Sequence, residues 1–123
     1  MSKIISTTET VHSADFESNW YGADGRHTDT TKLQASNSVT PREIIVQVGL
    51  QDIVGSPDAS SKIQIFSTVQ GQAETLEYEQ AITADNMNDA FLFDGIKANA
   101  VQVKVPKGGM TSFKLAVDYD AIY

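Results

Sequence analysis

From Ile44 to Tyr119 apolar residues recur at every second position in short segments, a pattern that suits one side of a β-strand and no side of a helix. Ile44, Val46, Val48 and Leu50 can line one face while Gln47, Gly49 and Gln51 lie opposite. The rhythm returns in Ile63/Ile65, Leu76/Tyr78/Ile82, Val101/Val103/Val105 and Phe113/Leu115/Val117/Tyr119. Such a chain is constrained to bury one face of each strand, which predicts a nearly all-β domain.

Turn chemistry divides the pattern. Gly55-Ser56-Pro57-Asp58 separates the first strong strand from the second, and Gly71-Gln72 the second from the third. Asp94-Gly95 offers the positive φ of a tight connection, and Pro106-Lys107-Gly108-Gly109 reads as a hairpin turn before the last strand. A short helical turn is expected between Thr83 and Ala90, with Asp85 as its cap. Residues 1–42 have a different texture, rich in Ser, Thr, Asn and Asp, where Lys3 to Thr8 and Thr31 to Ala35 read as strands at an edge or on an arm. These readings give about eight strands, paired antiparallel because the connections have no room for crossover helices. The expected fold is an antiparallel β-sandwich of jelly-roll type with an extended N-terminal arm over residues 1–15 and a single domain over 16–123. An up-and-down barrel is the alternative.

Length and composition agree with one such domain. The chain has 123 residues, 41% of them hydrophobic and 20% charged, enough to form a core without metal or disulfide staples. It has no cysteine, so its fold needs no oxidising compartment. Met1-Ser2-Lys3-Ile4-Ile5 turns polar at Ser6 without an apolar signal region, and no run approaches the length that spans a bilayer. A formal net charge of −7 opposes nucleic acid and anionic membranes as partners. The charge is also segregated. Glu74, Glu77, Glu79, Asp85, Asp89 and Asp94 occupy a stretch without Lys or Arg, and Lys97, Lys104, Lys107 and Lys114 follow without an acid until Asp118. The plain reading is two solvated faces; the alternative is pairing between strands or subunits.

Each polar cluster fails a chemical test. Asp24, His27 and Asp29 share a loop with no zinc spacing, and His12 is the only other histidine. Asp85-Asn86-Met87-Asn88-Asp89-Ala90 is rich in oxygen donors, but Met87 and Ala90 break the calcium-loop pattern. There is no Gly-x-Ser-x-Gly elbow and no phosphate loop. Glu77 and Glu79 share one strand face, as a glycosidase pair might, and equally as an exposed face does. No enzyme, metal or cofactor is expected; a hydrolase would have to rest on His27 or Glu77. The pair Trp20-Tyr21 is the best binding candidate, with Arg26 beside it, because aromatic and guanidinium groups concentrate at interfaces. The competing reading has Trp20 plugging the end of the core.

Taken together, Ser61-Lys62-Ile63-Gln64-Ile65, Tyr78-Glu79-Gln80-Ala81-Ile82-Thr83, Phe91-Leu92-Phe93-Asp94-Gly95 and Ala100-Val101-Gln102-Val103-Lys104-Val105 resemble the texture of small tailed-bacteriophage virion proteins, capsid decoration or cement proteins in particular. The resemblance covers residues 43–119. It implies a non-enzymatic homotrimer, assembled in the host cytoplasm onto the outer capsid surface, where it bridges major capsid subunits. Lys3, Ile4 and Ile5 on the arm, with Trp20, Tyr21 and Arg26, are then the expected interface residues. Similar textures occur in carbohydrate-binding or host-attachment modules of tail fibres and baseplates, where Trp20 and Tyr21 would stack on a sugar while Asp24, Arg26 and Asp29 read its hydroxyls.

Overall fold

The computed structural model describes residues 2–6, 10–23, 28–35 and 41–122. Within them the alternating segments become strands: β1 (Ser2–Ser6), β2 (Thr10–His12), β3 (Phe16–Glu17), β4 (Trp20–Gly22), β5 (Thr28–Asp29), β6 (Glu43–Gly55), β7 (Lys62–Thr68), β8 (Thr75–Ala81), β9 (Ala90–Ile96), β10 (Ala100–Val105) and β11 (Met110–Ile122). They form two antiparallel sheets, an all-β sandwich. One has the order β1-β11-β6-β9, with β2 beside β1 along β11. The other has the order β5-β4-β10-β7-β8, with β3 beside β4 along β10.

The core lies where the sequence pattern puts it. Ile44, Val46, Val48 and Leu50 of β6 and Phe113, Leu115, Val117, Tyr119 and Ala121 of β11 face Ile63 and Ile65 of β7 and Val101, Val103 and Val105 of β10, all of them buried. Most of their outward neighbours are polar or small, with Ile45 on β6 and Phe66 on β7 as apolar exceptions, so each strand keeps a period of two. Full burial of a Val, Leu or Ile side chain stabilises by roughly 1.5–3 kcal/mol.

From β5 onward the chain changes sheet at every connection except the β7–β8 hairpin. β10 and β11 lie in different sheets, so Pro106 to Gly109 form a crossing between layers, where a hairpin was expected. Antiparallel order arises from distant pairing, most of all β6 with β11. The turns after β6 and after β10 meet at one end of the sandwich. There the Ser61 hydroxyl donates to the Lys107 carbonyl at 2.7 Å and accepts from the Asp58 amide at 3.1 Å, and the Lys107 amide donates to Asp15 at 3.0 Å. Gly108 allows this contact: its φ is +54°, and a Cβ there would meet the Asp58 carboxylate and the Ser61 amide.

Four local expectations change. Thr31 to Ala35 is not a strand; Lys32–Ala35 is a single turn of helix, α1. Asp29 accepts the Thr31 amide at 3.0 Å and the Thr31 hydroxyl caps the Gln34 amide at 3.4 Å, and these local bonds outweigh the β-propensity of the threonines. Thr83 to Ala90 forms turns without a helix; Asn86, not Asp85, organises it by accepting the Thr83 amide at 2.8 Å and donating to the Ala81 carbonyl at 3.0 Å. Asp94-Gly95 is a bulge inside β9, where the register against β6 slips between the pairs Ile44↔Ile96 and Val46↔Phe93 and Gly95 takes φ +70°. Leu76 is exposed because β8 slips by one residue against β7 and sets it opposite Phe66 on the outer face; Tyr78 keeps its place opposite Ile65 and is partly exposed at the edge of the sheet.

Residues 2–6, expected on an extended arm, form the edge strand β1 on β11, with Lys3 opposite Ala121, Ile4 opposite Asp120 and Ile5 opposite Tyr119. The segment is extended and belongs to the chain's own sheet.

Gly108→Ala is expected to lower unfolding free energy by about 1–3 kcal/mol, since it forces a side chain into a positive-φ position against polar backbone. Gly49→Ala, with nothing within 4 Å of its Cβ position, is expected to change stability by less than about 1 kcal/mol. Urea titrations of both variants check the difference.

Candidate functional site

Trp20 and Tyr21 are adjacent on β4, so their side chains leave the strand on opposite faces. Tyr21 enters the main core, its ring 6.1 Å from that of Tyr119. Trp20 lies on the outer face of the second sheet in a small cluster with Ala35 of α1 and Ala100, against which Phe66 packs. Their exposures are 4% and 8%. The expected aromatic platform therefore does not form, and neither ring is an exposed anchor. Strand alternation divides the pair, and α1 helps close the tryptophan cluster. Burial raises the Tyr21 phenol above its ordinary value, against the opposing effect of its bond to Ser18.

The other candidates separate too. Arg26, Asp24 and His27 lie outside the described residues. His12 stacks between aromatic rings, with centroids 4.7 Å from Phe16 and 5.7 Å from Phe113. Glu77 and Glu79 go to different partners. Glu77 accepts from the Ser67 hydroxyl at 2.6 Å. Glu79 accepts from Gln64 at 2.9 Å and pairs with Lys62 at 3.5 Å, which holds its carboxyl below the ordinary range, the Gln64 bond being the larger cause. Among the described residues no three His, Asp or Glu side chains come together as metal ligands. The segregated charges do not pair with one another in the ion pairs observed: Glu79 uses Lys62, and Lys114 uses Asp52 at 3.2 Å.

Polar side chains outside every sequence motif hold the irregular strands in place. The Ser18 hydroxyl accepts from the Val103 amide at 2.9 Å, and Gln102 donates to the Ser18 carbonyl at 2.8 Å and to Glu17 at 3.2 Å. These bonds fix the kink between β3 and β4. Asn99, fully buried, accepts the Gln70 amide at 2.9 Å and so anchors the β7–β8 hairpin. Their only sequence signal is polarity beside core positions.

What remains accessible is the sandwich's open side. There β8 and β9, each an edge strand of its sheet, are joined by the Tyr78 hydroxyl, which donates to the Asp94 carbonyl at 2.6 Å, and by the Tyr78 and Phe93 rings, 5.3 Å apart. Leu76 is 46% exposed and Leu92 63%. Nearby, at the end where β6 begins and β9 and β11 finish, Arg42, Glu43, Gly95, Lys97 and Ile122 line an open cavity of about 430 Å³. Glu43 is already engaged, accepting the Gly95 amide at 2.9 Å. This region offers apolar edge, exposed cations and backbone, the materials of contact with another protein.

Fold and site thus define an all-β sandwich whose accessible features are sheet edges and faces. No protein-family model matches the chain, and no curated protein matches it. Two solved structures resemble it. One is from Bacillus endospore appendages, which form a novel family of disulfide-linked pili: 8% identity over 99% of this chain and 90% of that one, with a TM-score of 0.37. The other is the acidic stable capsid of Helicobacter pylori bacteriophage KHP30: 16% identity over 100% of both chains, with a TM-score of 0.29. At these TM-scores neither likeness bears on what this chain does.

Two outcomes follow from the buried aromatics. Trp20→Ala is expected to destabilise the fold by about 3–5 kcal/mol, the cost of removing a buried aromatic, as read by chemical denaturation; an unchanged midpoint would contradict its placement. Because Tyr21 has a raised folded pKa, its contribution to stability is fully present below the unfolded value of about 10 and is lost as pH rises through the folded value. Unfolding midpoints should fall above pH ~10, and Tyr21→Phe should reduce that fall.

Proposed function

We propose that this chain is a structural protein of a bacteriophage particle, a capsid decoration or cement protein that binds the outer surface of the head and stabilises contacts between major capsid subunits. The observation that carries the reading is the order of the strands. With β1 and β2 taken as one lane, β3 and β4 as another, and β5 as an added edge strand beyond β4, the order β1/β2-β11-β6-β9 over β3/β4-β10-β7-β8 supports a jelly-roll reading, a fold used by viral capsid and lectin domains. This supports the reading as a fold-level analogy. The sequence texture of residues 43–119 points the same way and brings with it a homotrimer and a role without catalysis.

The contact surfaces proposed for this role are edges. Lys3, Ile4 and Ile5 lie on β1, the outermost strand on β11, and Arg26 remains a proposed anchor. The burial of Trp20 and Tyr21 shifts the weight of the interface from that pair to the strand edges and exposed sheet faces. It also removes the stacking platform on which a sugar-binding reading would depend.

The test is composition of the particle. Gradient-purified phage particles should contain the chain in stoichiometric copies related by capsid symmetry, and the isolated protein should bind shells that lack it. Particles without the chain would sink the proposal.

A further inference from the structure

The solvent face of the sheet β1-β11-β6-β9 is complementary to itself. Along β11, between core-facing Phe113, Leu115, Val117 and Tyr119, the outward positions are Ser112, Lys114, Ala116, Asp118 and Asp120. Read from either end, this row places a hydroxyl against a carboxylate and a cation against a carboxylate, with Ala116 at the centre. Register sets Gly49 of β6 beside Ala116, and Ala90 of β9 beside Gly49. Nothing lies within 4 Å of the Cβ position of Gly49, so three small residues form a shallow trough across three strands. Gln47 and Gln51 flank it on β6, and exposed Leu92 stands beside Gln47 on β9.

The geometry points to a second copy of this chain as the occupant of this face, packed against it about a twofold axis that runs along the Ala90–Gly49–Ala116 row. Such an axis reverses strand direction and sets each strand over its own counterpart, as an isologous interface requires. A residue two positions before Ala116 then meets the residue two positions after it. Lys114 faces Asp118 of the second copy, Gln51 faces Gln47, Ser112 faces Asp120, and Ala116 and Gly49 face their equivalents. At about 3.4 Å per residue the opposed charges sit roughly 7 Å on either side of the axis, where the small central row lets the sheets approach. The usual offset of about 30° between packed sheets turns the rows about this centre, and the long Lys114 side chain spans the displacement.

One detail of the single chain suits this partner. Lys114 pairs with Asp52 at 3.2 Å, but that pair is largely exposed and so weak that the lysine can change partner. A partner of unrelated sequence would give no reason for the row to be complementary about its own centre. The inference does not rest on the virion assignment: a twofold face joins two copies, and would join two trimers if trimers form.

Sedimentation equilibrium of the full chain at about 100 µM tests it. The expected mass is an even multiple of the 13.4 kDa chain. Lys114→Asp and Asp118→Lys should each weaken the association about tenfold or more, and Lys114→Asp combined with Asp118→Lys should restore it, because the symmetry opposes the exchanged charges again. Ala116→Arg, which projects from the outer face, should abolish it, with circular dichroism and thermal midpoint reporting that the fold is kept. A monomer or trimer in the unaltered protein, single reversals that leave the mass unchanged, or a folded double variant that stays dissociated would each overturn the proposal.

Discussion

The pairing of β6 with β11 holds this fold together. Eleven residue pairs run from Met110↔Gly55 to Ile122↔Glu43, joining two thirteen-residue strands that lie far apart in sequence. Closing the intervening chain costs on the order of 3–4 kcal/mol beyond a constant term, so the ladder can form only together with the core that it lines. Once formed, it is the spine of its sheet: β9 attaches to β6, and β1 and β2 attach to the free edge of β11. In the facing sheet β10 and β7 supply the opposite wall of the core. A one-residue slip of β6 against β11 would reverse the faces of β6, exposing Val46 and burying Gln47.

The crossing between sheets from β5 onward, interrupted only by the β7–β8 hairpin, has a second consequence. The strands at the edges, β1, β9, β5 and β8, offer unpaired backbone to other molecules, while the central strands give one face to the core and offer only the other. The edges are not left unguarded. β8 has a register slip and presents Glu77 and Glu79, and β9 has a bulge at Gly95; both features discourage indiscriminate strand addition. Selective contact is therefore expected at particular sites, including the outer face of the β11-β6-β9 sheet, where small residues and balanced charges replace the guards.

The core was legible in the sequence because β6, β7, β10 and β11 each have one face covered by the opposite sheet, which leaves a strict two-residue period. The failures fall where that condition breaks. Leu76 follows the period yet faces outward, since the slip in β8 is a property of pairing with β7 and not of local composition. Asp94-Gly95 has the chemistry of a turn and serves as a bulge; the difference lies in the strand beside it. Thr31 to Ala35 begins with a β-branched residue, but Asp29 and Thr31 cap a helical turn. The site was less legible still. Trp20 and Tyr21 look like one patch until β4 sends them to opposite faces, and the contributions of Ser18, Asn99 and Gln102 depend on partners distant in sequence.

Native-state amide hydrogen exchange tests the central role of the β6–β11 ladder most directly, because it reports the opening free energy of each strand separately. The slowest exchange should be found in paired amides of β6 between Ile44 and Leu50 and of β11 between Leu115 and Ala121, with β7 and β10 close behind and with β1, β8 and β9 opening first. Fast exchange in β6 and β11 beside protected β8 or β9 would contradict the account.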